Sequence, residues 1–370
     1  LERGELALDL YAPVVSDSRE VRFKVMRVGP AMPLTKILPI LERLGVEVLD
    51  EHPYEIRRKD RASAWILDFG LVLPNGEIYC ADTLFARFEL AFEAAWHGQI
   101  ASDSFNSLVT QAGLTWQDAQ LIRAYARYMR QIGSTFGQGY IEMVILENAE
   151  ISRLLIEFFR VRFDPAFGGD RESESQTARE QFDASLVLVP SLDHDRILRL
   201  FWTLIEATMR TNYFANAQTL AFKLVPTMIA DIPLPRPAHE IWVHSPRVEG
   251  VHLRFGAVAR GGIRWSDRRE DFRTEILGLV KAQEVKNAVI VPVGAKGGFF
   301  AKNLPDPAID REAWLAEGIG AYQDFIRALL SVTDNIVDSI VVPPVDVVRH
   351  DPDDPYLVVA ADKGTASFSD

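Results

Sequence analysis

The sequence has little cysteine, no long apolar run and a shortage of positive charge, and each scarcity closes off a class of answers. Cys80 is the single cysteine in 370 residues. No disulfide can therefore form within the chain, and a reducing compartment, the cytoplasm, is expected. No apolar stretch approaches the ~18 residues of a membrane span, so no membrane partner is expected. Lys and Arg number 40 against 52 Asp and Glu, a net charge of -12. That balance argues against nucleic acid, whose backbone demands a basic face. It leaves room for a small anionic substrate, because a local cluster of cations sets the local field. The first ten residues include Glu2, Arg3, Glu5 and Asp9 and do not read as a signal peptide. The chain opens at Leu1 and stops at Asp370 in mid-pattern, so a piece of something longer is expected.

What is present is ordinary globular material: 48% hydrophobic and 25% charged residues, enough length for two or three cored domains. Val21 to Val28 alternates apolar and basic residues, as a half-buried strand does. Pro33 to Leu44 reads as an amphipathic helix opened by proline and closed by Gly45. Val46 to Ile56 and Ala62 to Leu73 read as further strands, so residues 1–75 form a small βαββ α+β module. Helical periodicity dominates residues 76–212. Thr115 to Asp118 resembles a capping box, and Ile151, Leu154, Leu155, Phe158 and Phe159 make an amphipathic stripe. Asp164 to Glu180 turns to Gly, Ser, Glu and Arg and reads as a mobile loop, and Ser191 to Thr211 as a helix. Residues 213–370 interleave strands (Thr219 to Leu224, His239 to His244, Val251 to Phe255, Ala288 to Val293) with helices over Arg269 to Lys286 and Arg311 to Val332. Ile340 to Val342 and Leu357 to Ala360 read as further buried strands. This last part is an α/β domain, and the whole chain is α/β and α+β multidomain.

Cations and glycines concentrate between Val258 and Ala301. Gly261 and Gly262 sit between Arg260 and Arg264, and Gly294, Gly297 and Gly298 bracket Lys296. Glycines let a backbone close around a ligand, and fixed cations suit an anionic one. The pattern reads as a pocket for a small dianion. Such a pocket becomes reactive if one of its groups can polarise water or a carbonyl near neutral pH. A lysine does this once burial or neighbouring cations lower its pKa. Lys296, with Lys286 and Arg260 converging on one cleft, is the first candidate. Its bland alternative is a surface lysine on a glycine-rich turn. Asp362 follows the apolar run Tyr356 to Ala361, at the strand end where α/β sheets gather ligands. A carboxylate there can take up and give back a proton; it can equally be a helix N-cap.

Arg-Gly-Gly-Ile-Arg, a helix with Gln-x-x-Lys-Asn, and Pro-x-Gly-Ala-Lys-Gly-Gly resemble the substrate domain of glutamate dehydrogenases. The run Gly261 to Glu275 resembles the large NAD-dependent bacterial class. The resemblance implies oxidation of L-glutamate to 2-oxoglutarate and ammonia, with NAD as cofactor in a homo-oligomer. It implies Lys296 and Asp362 as catalytic, and Gln283 and Lys286 on the α-carboxylate. Residues 1–75 become an ACT-like module and 213–370 the substrate-binding domain. The family commonly has lysine where this chain has Arg260, which keeps the charge and changes its reach. No Gly-x-Gly-x-x-Gly follows a predicted strand, so these residues are expected to hold the glutamate side, with NAD bound mainly by a domain outside them. A fragment of this kind is expected to be inactive alone.

Other signals fail. His239 and His244 are five apart, not the four of a zinc helix, and in a strand face opposite ways. Gly294 to Gly298 lacks the Gly-Lys pair of a phosphate loop. The mixed run from Asp267 to Asp271 reads as a solvated helix start, and Asp351, Asp353 and Asp354, broken by prolines, as a loop. The competing function is a regulatory amino-acid-binding or assembly segment with no catalytic groups.

Overall fold

The structure, a computed structural model, describes residues 4–13, 20–57, 59, 62–74, 81–287 and 293–360; for 81, 82 and 283–287 it describes the backbone only. Cys80 and Asp362 lie outside the described residues. The chain folds as two compact units, residues 1–123 with 142–153, and residues 124–141 with 154–370.

In the first unit β1 (Leu6–Tyr11), β2 (Glu20–Val28), α1 (Leu34–Arg43), β3 (Glu47–Ile56), β4 (Ala64–Val72), α2 (Ala81–Trp96) and α3 (Leu108–Gln111) follow in order. The strands form an antiparallel sheet in the order β1-β2-β4-β3. Sequence reasoning missed β1, whose short run after the first glycine is only half-buried. Alternation on β2 and β4 sends Phe23, Val25, Phe69 and Leu71 into one core with Ile37, Leu41, Phe88 and Phe92 from α1 and α2. Each such side chain, fully buried, contributes roughly 1.5–3 kcal/mol. Arg22, on the opposite face, bridges Asp68 at 2.9 Å and Asp50 at 2.7 Å. Pro33 precedes α1, and Gly45 ends it at φ +78°, where a Cβ would lie 2.7 Å from that of Ser107.

Helices α4 (Trp116–Gln131), α5 (Gln138–Glu147), α6 (Ala149–Phe163), α7 (Arg171–Leu186) and α8 (Leu192–Ala207) come next. Thr115 and Asp118 make the expected reciprocal cap, backbone N–H to side chain at 3.0 and 3.1 Å. α7 corrects the expected loop. Its polar sequence hides a narrow buried stripe, Ala178, Phe182 and Leu186, and Asp170 caps its first turn.

The second unit is built on a six-stranded sheet of β5 (Thr208–Thr211), β6 (Leu220–Leu224), β7 (His239–His244), β8 (Val248–Arg254), β9 (Arg260–Trp265) and β10 (Gly294–Ala301), in the order β5-β6-β7-β8-β10-β9. Only β10 and β9 run parallel in it. α9 (Phe272–Asn287) and α10 (Arg311–Leu330) cover opposite faces: a Cβ on Gly298 would meet Ile276 of α9, and one on Gly250 would meet Phe325 of α10. β5 replaces the last turn of the helix expected to reach Thr211. β11 (Asn335–Val337) and β12 (Ile340–Val342) form a separate ribbon that is mostly exposed, against the expectation of burial. Leu357 to Ala360 takes no regular strand, although Ile263 N–H donates to Ala360 O at 3.0 Å. Of the expected strand Ala288 to Val293, residues 288–292 lie outside the description.

Candidate functional site

The two glycine-rich motifs do not form turns; they are neighbouring strands. Arg260 opens the edge strand β9, and parallel pairing sets Gly294 beside Arg260, Ala295 beside Gly261, Lys296 beside Gly262 and Gly298 beside Arg264. With a side-chain period of two, Arg260, Gly262, Arg264, Lys296 and Gly298 all belong to one face, the one that α9 covers. Sequence reasoning missed the β9 strand because two glycines in six residues depress strand propensity.

Lys296 is 8% exposed. Burial, and after it the Arg264 guanidinium, lower its pKa from the ordinary lysine value. The direction agrees with expectation. Among the described neighbours Arg264 supplies the like charge, while Arg260, expected to do so together with Lys286, is exposed. Arg264 is held by Glu275 of α9, Nε to Oε1 at 2.6 Å, and Ser266 Oγ donates to the other carboxylate oxygen at 2.6 Å. The quoted motif contains Arg264, and a strand reading of residues 260–265 places it on the same face as Arg260.

The glycines are taken up by close packing. A Cβ on Gly261 would fall 1.5 Å from Ala295 O, a backbone atom with nowhere to go. One on Gly297 would meet Ile263, and one on Gly298 Ile276. The sheet and its helices therefore approach one another where these side chains are missing.

Gln283 and Lys286 lie on α9, and their side chains are outside the description. What holds the helix is described. Ile276, Leu277 and Val280 are buried. Arg273 makes a fully buried, two-pronged pair with Glu240 of β7, both bonds 2.7 Å. Gln131 of α4 accepts from Arg273 N–H at 3.1 Å and donates to Arg269 O at 3.1 Å. None of this was visible in sequence, because Glu240 and Arg273 are far apart in the chain and each reads as a surface residue.

On the other face of the sheet the acidic loop is a clamp. Arg210 pairs with Asp334 at 2.8 Å and with Asp351, and Lys223 pairs with Asp354 at 2.7 Å and with Asp351. Arg254 also reaches Asp354. Burial alone would raise the Asp354 carboxyl, but Lys223 and Arg254 hold it below the ordinary value. His252 is bonded to Val358 O at 2.8 Å, and burial lowers its pKa to about 4. A cavity of about 660 Å³ lies elsewhere in this unit, lined by Arg162, Arg171, Arg179, Trp202, Glu206 and His350 among others. Arg171 spends both terminal nitrogens on the carbonyls of Val161 and Asp164, and Arg162 one on those of Glu206 and Thr208, so these arginines tie off helix ends. Among the described residues no group of three His, Cys, Asp or Glu is arranged to hold a metal, and no helix is long and apolar enough to cross a membrane.

Residues 181–370 match the family described as bacterial NAD-glutamate dehydrogenase, catalytic domain. Residues 100–165 match glutamate dehydrogenase, helical motif 3, and residues 5–84 match glutamate dehydrogenase, ACT3 domain. The chain is 51% identical over 375 residues to the NAD-specific glutamate dehydrogenase of Halomonas elongata, covering 100% of this chain and 23% of that protein. Against the Mycobacterium tuberculosis protein of the same description it is 52% identical over 362 residues, covering 92% and 22%. For Pseudomonas aeruginosa the figures are 46% over 378 residues, 100% and 23%. The chain thus spans under a quarter of the length of these relatives.

Proposed function

The chain belongs to the bacterial NAD-glutamate dehydrogenase family, and from that premise we propose that the whole protein oxidises L-glutamate to 2-oxoglutarate and ammonia with NAD, this chain supplying groups on the glutamate side. The same proposal divides the chain into an ACT-like module (1–75), a helical region (76–212) and a substrate-binding domain (213–370), and places a homo-oligomer in the cytoplasm. Among the described residues no strand-to-helix connection carries the Gly-x-Gly-x-x-Gly turn that seats a pyrophosphate. The residues of this chain that take part act on the glutamate side.

The observation that carries the reading is Lys296: buried, with its pKa lowered, on the strand beside Arg260 to Arg264. What this chain has to do is hydrolyse the imino acid left once the α-carbon has been oxidised. Lys296 takes a proton from the attacking water and, as the ammonium, steadies the oxygen that has added. Asp362 gives a proton to the nitrogen, which leaves as ammonia, and the carboxylate so formed takes the remaining hydroxyl proton as the carbonyl of 2-oxoglutarate closes. Gln283 and Lys286 hold the α-carboxylate and Arg260 the distal one, with Gly262, on the face of Lys296, letting the substrate lie close to the strand; Gly261, expected beside it, is instead taken up by the close approach of Ala295. The buried Glu240–Arg273 pair keeps α9 in register for its share of this work. The test is binding of 2-oxoglutarate to the full-length enzyme by calorimetry. Lys286→Ala abolishes it with the unfolding midpoint unchanged; undiminished binding by that variant would overturn the assignment.

A further inference from the structure

The segment 351–360 reaches the edge of the sheet and brackets the Arg260 motif at both ends. Tyr356 Oη donates to Ala259 O at 2.7 Å, and Ala259 N–H donates back to the same oxygen at 3.4 Å. At the far end Ile263 N–H donates to Ala360 O at 3.0 Å. Only Arg260, Gly261 and Gly262 lie between these two points. They need such fixing: β9 is an edge strand, its glycines have no side chains to pack, and the Arg260 side chain is exposed. On the inner side Arg260 N–H donates to Val293 O at 3.1 Å. The segment is itself anchored to the sheet, through Asp354 on Lys223 and Arg254 and through Val358 O on His252. The Tyr356 ring lies under the Arg254 guanidinium, 5.5 Å from its carbon to the ring centroid.

We propose that Tyr356 is a positioning residue for substrate binding: its hydroxyl fixes the Ala259 peptide, and through it the backbone from which Arg260 reaches the distal carboxylate of the substrate. This rests on Arg260 holding that carboxylate. Tyr356 touches no substrate atom. Its effect is to reduce the number of backbone arrangements Arg260 must abandon when substrate binds. An interaction of that kind favours the bound substrate and the transition state alike, so its loss appears in KM and leaves kcat in place.

The test compares Tyr356→Phe, Arg260→Gln and the double variant in the full-length enzyme. Phenylalanine keeps the ring under Arg254 and removes only the hydroxyl. In Tyr356→Phe, KM for 2-oxoglutarate and for glutamate rises roughly 3- to 10-fold, as befits one net hydrogen bond, while kcat and the KM for NAD stay within about 2-fold. Arg260→Gln raises the same KM further, and adding Tyr356→Phe to it changes nothing more, because the two act through one contact. If Arg260→Gln raises KM and Tyr356→Phe does not, the positioning role is lost and the reading of Arg260 stands. If Arg260→Gln leaves KM unmoved, that reading falls and takes this one with it. A drop in unfolding midpoint with all constants worsening together would make Tyr356 a fold residue and overturn the proposal.

Discussion

The two ends of the six-stranded sheet differ in what burial does to the charged groups described there. Across β5 to β8 the buried cations described above meet carboxylates, Arg210 with Asp334 and Asp351, Lys223 with Asp351 and Asp354, and Arg254 with Asp354, and Glu240 of β7 is met by Arg273 of α9. Glu249, which burial alone would raise, is drawn down to about 2 by Lys302, His244 and Arg127. At the β10–β9 end Arg264 also has a carboxylate, Glu275, while on Lys296 burial, and after it the Arg264 guanidinium, press toward the neutral amine. Balanced burial holds a fold together and leaves its groups inert. Burial that shifts a group toward its reactive form works against stability, and a protein keeps it where chemistry needs it.

The sharpest break of that contrast is Lys296→Ala in the full-length enzyme. Turnover should fall by roughly 10²- to 10⁴-fold, the range of a lost general acid or base, with the fold intact. Turnover within about tenfold of the parent would remove Lys296 from the role given to it. At the balanced end the response is inverted. Arg273→Met strands a buried Glu240 carboxylate and should lower the unfolding free energy by about 3–5 kcal/mol. Adding Glu240→Leu should restore most of it, since an apolar pair of similar volume avoids the desolvation of both charges. A single variant as stable as the parent in urea titrations would show that the pair is not the anchor of α9.

Acid separates the two ends more gently. His252 has a pKa of about 4 in the folded chain against 6.5 for the free side chain. Its folded value is depressed, so the contribution is complete above pH 6.5 and is lost as pH falls toward 4, where the unfolded chain alone takes up the proton. At 1.36 kcal/mol per unit that is roughly 3 kcal/mol. The Glu249 carboxylate then gives way between pH 4.5 and about 2. His252→Gln should flatten the upper part of a plot of unfolding midpoint against pH, leaving a smaller slope from His239 and His350, whose pKa values burial also lowers. An unchanged slope would mean that His252 titrates normally in the folded chain.

How legible this was depended on whether the signal was local. The alternation of Val21 to Val28, the stop at Gly45 and the Thr115–Asp118 cap are all short-range, and each was read from neighbouring residues. Lys296 was legible because its motif is contiguous, and its burial and lowered pKa agree with what was expected of it. Arg264, Glu275, Glu240 and Arg273 were not assigned, because their meaning lies in pairings between the sheet and α9 that no spacing encodes. The α7 loop error came from composition: a helix needing three buried residues in sixteen leaves the rest free to be Ser, Glu and Arg. The acidic run from Asp351 to Asp354 was correctly read as a loop, while its partners Arg210, Lys223 and Arg254 stand 100 or more positions away.

Two glycines give the smallest effects and test whether the site end is tight for a reason. Gly261 has Ala295 O in the place of its Cβ, at 1.5 Å, and β9 would have to part from β10 to admit a methyl group. Gly261→Ala should lower the unfolding free energy by about 1–3 kcal/mol, the usual range for overpacking. Gly278 sits in the middle of α9 on its exposed side, with nothing within 4 Å of an added Cβ. Gly278→Ala should stabilise by about 0.5–1 kcal/mol, since alanine gives up less backbone freedom in a helix. Urea titrations showing Gly261→Ala as stable as the parent would mean that β9 is not pinned against β10, and the geometry that sets Lys296 beside Gly262 would lose its support.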